Sequence, residues 1–290
     1  MLGLPDDITT CLFDMDGVVT KTAVVHAAAW KQMFDEFLRV WSARNGREFV
    51  PFDSVRDYDE YVDGKPRLEG TESFLQSRGI ELPEGSPSDA AGTPTVQGLS
   101  NRKNELVLEV LQRDGVEVYD GSRRYLDAVR KAGLKTAIVS SSANTEAVLK
   151  AGGVADLFDV RIDAQVATDR GLHGKPAPDT YLEAARMLGV AAANAAVFED
   201  ALVGVAAGRA GKFGFVVGVD RVGQADELRK HGADVVVKDL GDLLLPLLFP
   251  EHPSSLSKGR RCHRRALAAH RTRRCANDHE RALRRGAVVP

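Results

Sequence analysis

Apolar residues along the chain fall into two patterns: short unbroken runs, and longer stretches with helical spacing. Thr9-Thr10-Cys11-Leu12-Phe13 is rich in strand formers, stops at Asp14 and is followed closely by Gly17. Lys135-Thr136-Ala137-Ile138-Val139 leads in the same way into Ser140-Ser141-Ser142, and Ala195-Ala196-Val197-Phe198 into Glu199-Asp200. Two more such runs occupy 213–219 and 233–237. Unbroken runs of this length fit strands buried on both faces. Between them, 122–132 and 179–188 carry helical spacing. Strands alternating with helices of that length predict βαβ units, hence an α/β fold with a parallel sheet covered by helices on both sides.

The stretch from Thr22 to Arg113 breaks this rhythm. His26 to Val40 places Ala29, Trp30, Met33, Phe34 and Phe37 on one helical face, and 104–112 is a second helix candidate. Between them lie charged segments bearing Gly and Pro, such as Asp63-Gly64-Lys65-Pro66-Arg67, and a loop is expected over the Pro/Gly/Ser-rich piece 83–98. The pattern predicts a mostly helical insert at 22–113, placed after the first strand, with 1–21 and 114–250 forming the sheet domain.

Composition adds limits. A chain of 290 residues, 43% hydrophobic and 28% charged, can bury one large core or two moderate ones. No apolar run approaches the roughly 20 residues needed to cross a bilayer, so no membrane partner is expected. The opening Met1-Leu2-Gly3-Leu4-Pro5-Asp6-Asp7 is acidic where an export signal would be basic. Cys11, Cys262 and Cys275 are too few and too scattered for a disulfide framework, which makes a reducing, cytoplasmic setting the expectation. The net charge of -2 conceals an asymmetry: 251–290 holds 11 Lys/Arg against 3 acidic residues, leaving about -10 on the remainder. An acidic body argues against nucleic acid as its partner. The basic tail lacks interleaved aromatics, and Cys262, His263, His270, Cys275 and His279 lack compact zinc spacing, so it is read as a disordered appendage.

Candidate chemistry collects at the ends of the strands, the edge where open parallel sheets bind ligands. In Asp14-Met15-Asp16-Gly17, two carboxylates one residue apart can divide labour. Asp14 beside a magnesium ion can attack phosphorus, and Asp16 can protonate the leaving oxygen and deprotonate the incoming one. Ser140, Ser141, Ser142 and Asn144 offer hydroxyl, amide and backbone donors to phosphate oxygens. Lys175, in a loop stiffened by Pro176 and Pro178, offers a point charge, and Glu199 and Asp200 offer carboxylates to the metal. Taken singly, each has a bland reading: an acidic turn, a helix cap, a solvated lysine. Their order, with three of the four at strand ends, is the specific signal.

These segments, D-M-D-G-V, S-S-S, G-K-P-A-P-D and F-E-D-A-L-V-G-V, resemble the four motifs of the haloacid dehalogenase superfamily across most of Ile8 to Pro250. The resemblance implies a Rossmann-like core, Mg2+ and an aspartyl-phosphate intermediate. It makes Asp14 the nucleophile and Asp16 the acid/base. It assigns phosphate binding to Ser140 and Lys175, and metal binding to Asp14, Asp16 (through its carbonyl), Glu199 and Asp200.

The insert is similar to the helical cap of the β-phosphoglucomutase-like subfamily. Thr20-Lys21-Thr22 with His26 and Trp30, Gly64-Lys65-Pro66-Arg67, and Arg102-Lys103-Asn104 match that subfamily's cap motifs. On that resemblance, Arg67 would grip a second phosphate, Lys103 would touch sugar or phosphate, and Thr22 and His26 would couple cap closure to Asp16. Three departures stand out. Asp63 replaces a lysine before the cap glycine, Ala143 replaces a lysine before Asn144, and Glu81 to Leu99 is longer and richer in Pro and Gly. The activity the resemblance implies is phosphoryl transfer on a sugar phosphate, β-glucose 1-phosphate to glucose 6-phosphate through the 1,6-bisphosphate, with a magnesium-dependent phosphatase of a small phosphorylated metabolite as the alternative.

Overall fold

The computed structural model describes residues 2–244. The expected basic tail 251–290 and residues 245–250 of the expected sheet domain lie outside them. The chain runs β1 (Thr10–Phe13), α1 (Ala23–Arg44), α2 (Arg67–Ser77), α3 (Val96–Asp114), α4 (Asp120–Lys131), β2 (Lys135–Val139), α5 (Thr145–Ala151), β3 (Val160–Ile162), α6 (Ala164–Arg170), α7 (Asp179–Leu188), β4 (Ala195–Glu199), α8 (Leu202–Ala210), β5 (Phe215–Val219), α9 (Ala225–His231) and β6 (Val235–Val237).

The six strands are parallel, in the order β3-β2-β1-β4-β5-β6. Period-two alternation sends Cys11 and Phe13 to one side, packed with Tyr125, Leu126, Ile138 and Phe198. Leu12 goes to the other, with Val139, Tyr181, Ala184 and Val197. Both faces are dry, which is why the strands read as unbroken apolar runs. This order makes the gap between β1 and β4 the topological switch point, where successive connections leave in opposite directions and open a crevice. The loops after β1 and β4 flank that crevice.

The helices between β1 and β2 bury a core of their own. Trp30 stacks on Phe34 at 5.3 Å between ring centroids, Phe34 lies 4.1 Å from Phe74, and Phe52 closes the cluster at 5.0 Å from Phe74. Each such aromatic contributes about 1.5–3 kcal/mol through burial alone. The chain enters and leaves this segment side by side: Lys21 N bonds to Glu117 O at 2.8 Å and Tyr119 N to Val19 O at 3.0 Å.

The helices differ from the sequence expectation in length and number. The first runs from Ala23 to Arg44 rather than 26–40, and the 104–112 candidate is the C-terminal half of α3. α3 starts at Val96, inside the stretch expected to be loop, because the Thr95 side chain caps it by accepting from Gly98 N at 2.9 Å. α2 was not singled out, since Gly70 weakens its helical signal. Packing favours that glycine, as a Cβ there would press on the Trp30 ring at 3.3 Å. β3 is only three residues long with an exposed Arg161, too short to announce itself.

Candidate active site

The carboxylate loop grows out of β1. Asp14 N continues the ladder by donating to Phe198 O at 2.9 Å, which fixes the Asp14 side chain at the mouth of the crevice. The chain then turns away at Gly17, whose φ is +89°. A Cβ at Gly17 would fall 1.7 Å from Asp200 Oδ2, so the turn brings the loops after β1 and β4 into contact only without a side chain there.

Behind Asp14 sits Lys175, 2% exposed, donating to Asp14 Oδ1 at 2.5 Å and Glu199 Oε1 at 2.6 Å. Glu199 is fully buried and further held by the Tyr181 hydroxyl at 2.8 Å and by Ala201 N at 3.2 Å. Burial alone would lower the Lys175 pKa, but the Asp14 and Glu199 charges outweigh it and raise it. Asp14, Glu199 and Asp200 each present an oxygen, all within 4.8 Å of one another. Burial pushes Asp14 and Asp200 well above the usual carboxylate range, and the neighbouring carboxylates push them further. Three crowded carboxylates joined to one lysine leave a deficit of positive charge. An all-oxygen donor set of this kind suits a hard divalent cation, so the residues present fit one.

Asp16 is partly buried beside the helical segment. The Thr22 hydroxyl donates to its Oδ1, and His26 Nε2 stands 3.5 Å from the same atom. Lys103 Nζ lies 2.7 Å from His26 Nδ1 and 4.8 Å from the Trp30 ring centroid. Because an amine donates, Nδ1 accepts and the imidazole proton resides on Nε2, facing Asp16. Burial, reinforced by Lys103, pushes His26 down to about 4. Burial likewise pushes Lys103 down to about 7.

The serine run after β2 is already partly engaged. Ser140 Oγ accepts from Ser142 N at 3.1 Å, and Ser142 Oγ from Asn144 N at 3.1 Å. A hydroxyl that accepts keeps its own proton, so both can still donate to an anion. Ser141 donates instead across to Gly64 O at 2.8 Å, and Asn144 Nδ2 donates to Asn104 Oδ1 at 3.0 Å. These two bonds tie the sheet's loop to the helical segment. Gly64, at φ +68°, sits so close to the start of α8 that a Cβ would meet Val203 at 2.6 Å.

A cavity of about 280 Å³ lies between these groups. Asp14, Asp16, Asp200, Ser141, Ser142 and Asn144 line it from the strand ends, and His26, Trp30, Gly64, Lys65, Arg67 and Lys103 from the helical segment. Lys175, Glu199, Thr22 and Ser140 do not line the cavity itself but bond to or adjoin residues that do. Arg67, the first residue of α2, has its Nε buried with no hydrogen-bond partner among the described residues. Lys65 is turned to Ser73 Oγ at 3.0 Å. Tyr58, Gln165 and Thr168, which no motif announces, also line the cavity, as does Asn104, which the cap motif contains without a role assigned to it. Sequence reasoning noted Asp63 only as a departure. Burial, with Glu199 nearby, pushes Asp63 up to about 7. Tyr58 sits in a π-helical turn, Tyr58–Val62, and no spacing rule announces it.

A parallel sheet with a carboxylate after its first strand and a buried lysine and acidic pair opposite is a scaffold suited to phosphoryl transfer. The family model of the haloacid dehalogenase-like hydrolases matches residues 8–212, and the chain belongs to that family, on its β-phosphoglucomutase-like branch. It is 55% identical to a β-phosphoglucomutase of Mycobacterium tuberculosis over 247 residues, covering 84% of this chain and 94% of that one. A β-phosphoglucomutase of Bacillus subtilis is 32% identical over 240 residues, 83% of this chain and 93% of the relative. Among solved structures, a β-phosphoglucomutase from Clostridium difficile superposes with a TM-score of 0.62 at 25% identity, covering 81% of this chain and 93% of that one. No helix among the described residues is long and apolar enough to cross a membrane.

Proposed function

We propose that this enzyme interconverts β-glucose 1-phosphate and glucose 6-phosphate through the 1,6-bisphosphate, with Mg2+ as its cofactor. The carrying observation is the Arg67 Nε, buried without a partner among the described residues in the wall of the cavity that Asp14 also lines. A buried guanidinium donor left without a partner calls for an anion, and a planar fork suits phosphate. A hydrolase needs one phosphate seat; a mutase needs two. The 55% identity to a mycobacterial β-phosphoglucomutase supports the same reading.

In this reading 22–113 is a cap over a catalytic core made of 1–21 and 114–250. Asp14 carries the phosphoryl group as an aspartyl phosphate. The 6-hydroxyl of β-glucose 1-phosphate attacks that phosphorus, Asp16 takes the hydroxyl proton, and the Asp14–phosphorus bond breaks. The bisphosphate turns over between the seat at Asp14 and the seat at Arg67 and Lys103. Asp14 then attacks the C1 phosphate, and O1 leaves with the proton from Asp16. Thr22 and His26 hold Asp16 in place, and Lys175 holds Asp14 with Glu199. Ser140, Ser142 and Asn144 receive phosphate oxygens, while Ser141 and Gly64 keep the cavity closed to water. Trp30 floors the seat of Lys103, and Gly64 and Lys65 border the sugar. Mg2+, held by Asp14, the Asp16 carbonyl, Glu199 and Asp200, supplies charge stabilisation to the transferring phosphoryl group.

The test incubates the protein with Mg2+, β-glucose 1-phosphate and a trace of glucose 1,6-bisphosphate. Glucose 6-phosphate is the expected product; inorganic phosphate in its place would make the protein a phosphatase.

A further inference from the structure

The loop after β5 carries no motif, yet it reaches the main chain of both acidic loops. Asp220 Oδ1 organises it, accepting from Gly223 N at 2.6 Å and Gln224 N at 2.8 Å. From it, Gln224 Nε2 donates to Asp200 O at 3.1 Å, and Arg221 Nε donates to Gly17 O at 2.6 Å. The Arg221 side chain is 16% exposed and lies 3.5 Å from Asp239. Its Nη1 donates to Lys238 O at 2.8 Å, and its guanidinium covers the Tyr119 ring at 3.6 Å from the centroid. Three separate contacts therefore fix one guanidinium over Gly17.

Gly17 is the residue in this loop with the most backbone freedom, and both of its polar groups are tied: its N–H to Thr20 O at 2.8 Å, its carbonyl to Arg221. A peptide is planar and trans, so Thr20 O, by holding the Gly17 N–H, sets the plane of the Asp16–Gly17 peptide and its Asp16 carbonyl, while Arg221 holds the next plane, Gly17–Val18; with both planes held, the Gly17 hinge between them cannot swing the Asp16 carbonyl away. We infer that Arg221 is a positioning residue: by holding Gly17, it aims the Asp16 carbonyl at the cation site. Tyr119 lies in the return crossing from the helical segment, so the same guanidinium also links that crossing to the carboxylate loop. This inference rests on the reading of the site given above, in which the Asp16 carbonyl faces Mg2+.

Arg221→Met keeps the aliphatic stem and removes the fork. Partners that orient metal-facing groups typically alter metal affinity by about 10- to 100-fold, and a loss in that range is expected when Mg2+ is titrated calorimetrically into the metal-free variant. Hydrogen exchange at the Gly17 amide should accelerate. At saturating Mg2+, kcat should fall while KM for the sugar phosphate holds, and Arg221→Lys, which can still donate once to Gly17 O, should recover part of the loss. An arginine serving only the β5–β6 edge would lower the melting temperature and leave Mg2+ affinity and Gly17 exchange as in the wild type; that result overturns the inference. Should Arg221→Met not fold, Arg221→Lys is read by the same criteria against wild type. A wild-type protein that binds no Mg2+ overturns the site reading and this inference together, whereas a normal wild type with unaltered Arg221 variants overturns only the inference.

Discussion

The two walls of the cavity are built on opposite electrostatic plans. The strand ends crowd Asp14, Glu199 and Asp200 around a single lysine, and burial pushes Asp14 and Asp200 toward protonation. The facing helical segment brings Arg67 and Lys103, and burial drives both down from their ordinary values, Lys103 to about 7. One wall is short of positive charge, and the other sets one carboxylate, Asp63, against Lys65, Arg67 and Lys103. Neither arrangement is comfortable by itself, and the cation and bisphosphate proposed above would relieve both at once. Strain against the resting charge state is what a site shaped for its bound state should show.

Breaking the acidic wall should have the largest effect. Asp14→Asn replaces the carboxylate proposed to accept the phosphoryl group with an amide that cannot form an acyl phosphate, and turnover should fall by at least about 10^4-fold. Labelled substrate should also leave no phosphorus on the protein. Retained turnover would remove Asp14 from the mechanism. Stripping the cation with a chelator comes next, with a loss on the order of 10^3-fold because several kcal/mol of charge stabilisation disappears. Readdition of Mg2+ should restore the rate and raise the melting temperature.

Breaking the basic wall should be milder and more selective. Arg67→Ala loses charge-assisted bonds of about 1.5–3 kcal/mol, or about 10- to 100-fold in isomerisation, while release of phosphate from a simple ester changes little. Equal loss of both activities would count against a second phosphate seat. The smallest effect should be in pH. Lys103 titrates near 7, so KM for the sugar phosphate should climb as pH rises above that value, where the substrate phosphate is already doubly ionised. Lys103→Met should flatten the profile. The sign for stability runs oppositely: the folded value of about 7 lies below the ordinary 10.5, the unfolded chain binds more protons between them, and stability should rise with pH through that window.

Much of the fold was legible because burial on both faces of a parallel sheet leaves unbroken apolar runs. The run at 135–139 became β2, and the helix read at 179–188 became α7. Asp14, Ser140 and Glu199 were found as candidates because they sit where such runs stop. β3 was missed because three edge residues carry no period, and α2 because Gly70 answers to the Trp30 ring rather than to helix propensity. The serines read as a row of phosphate donors prove to be divided: Ser141 is spent on Gly64 O, while Ser140 and Ser142 keep a proton to give.

What the sequence determined by itself was the local order: strands ending in carboxylates, hydroxyls or an acidic pair, and a helical segment bearing arginine and lysine after the first strand. Local spacing encodes these because strand and helix periods are properties of neighbouring residues. Only the tertiary structure decided the partnerships. Lys175 reaches Asp14 across 161 residues, Lys103 reaches His26 across 77, and Arg221 reaches Gly17 across 204. Such contacts depend on which strand lies beside which, and on how closely a glycine lets two loops approach. Charge shifts follow the same rule, since desolvation and Coulomb forces act through space and not along the chain.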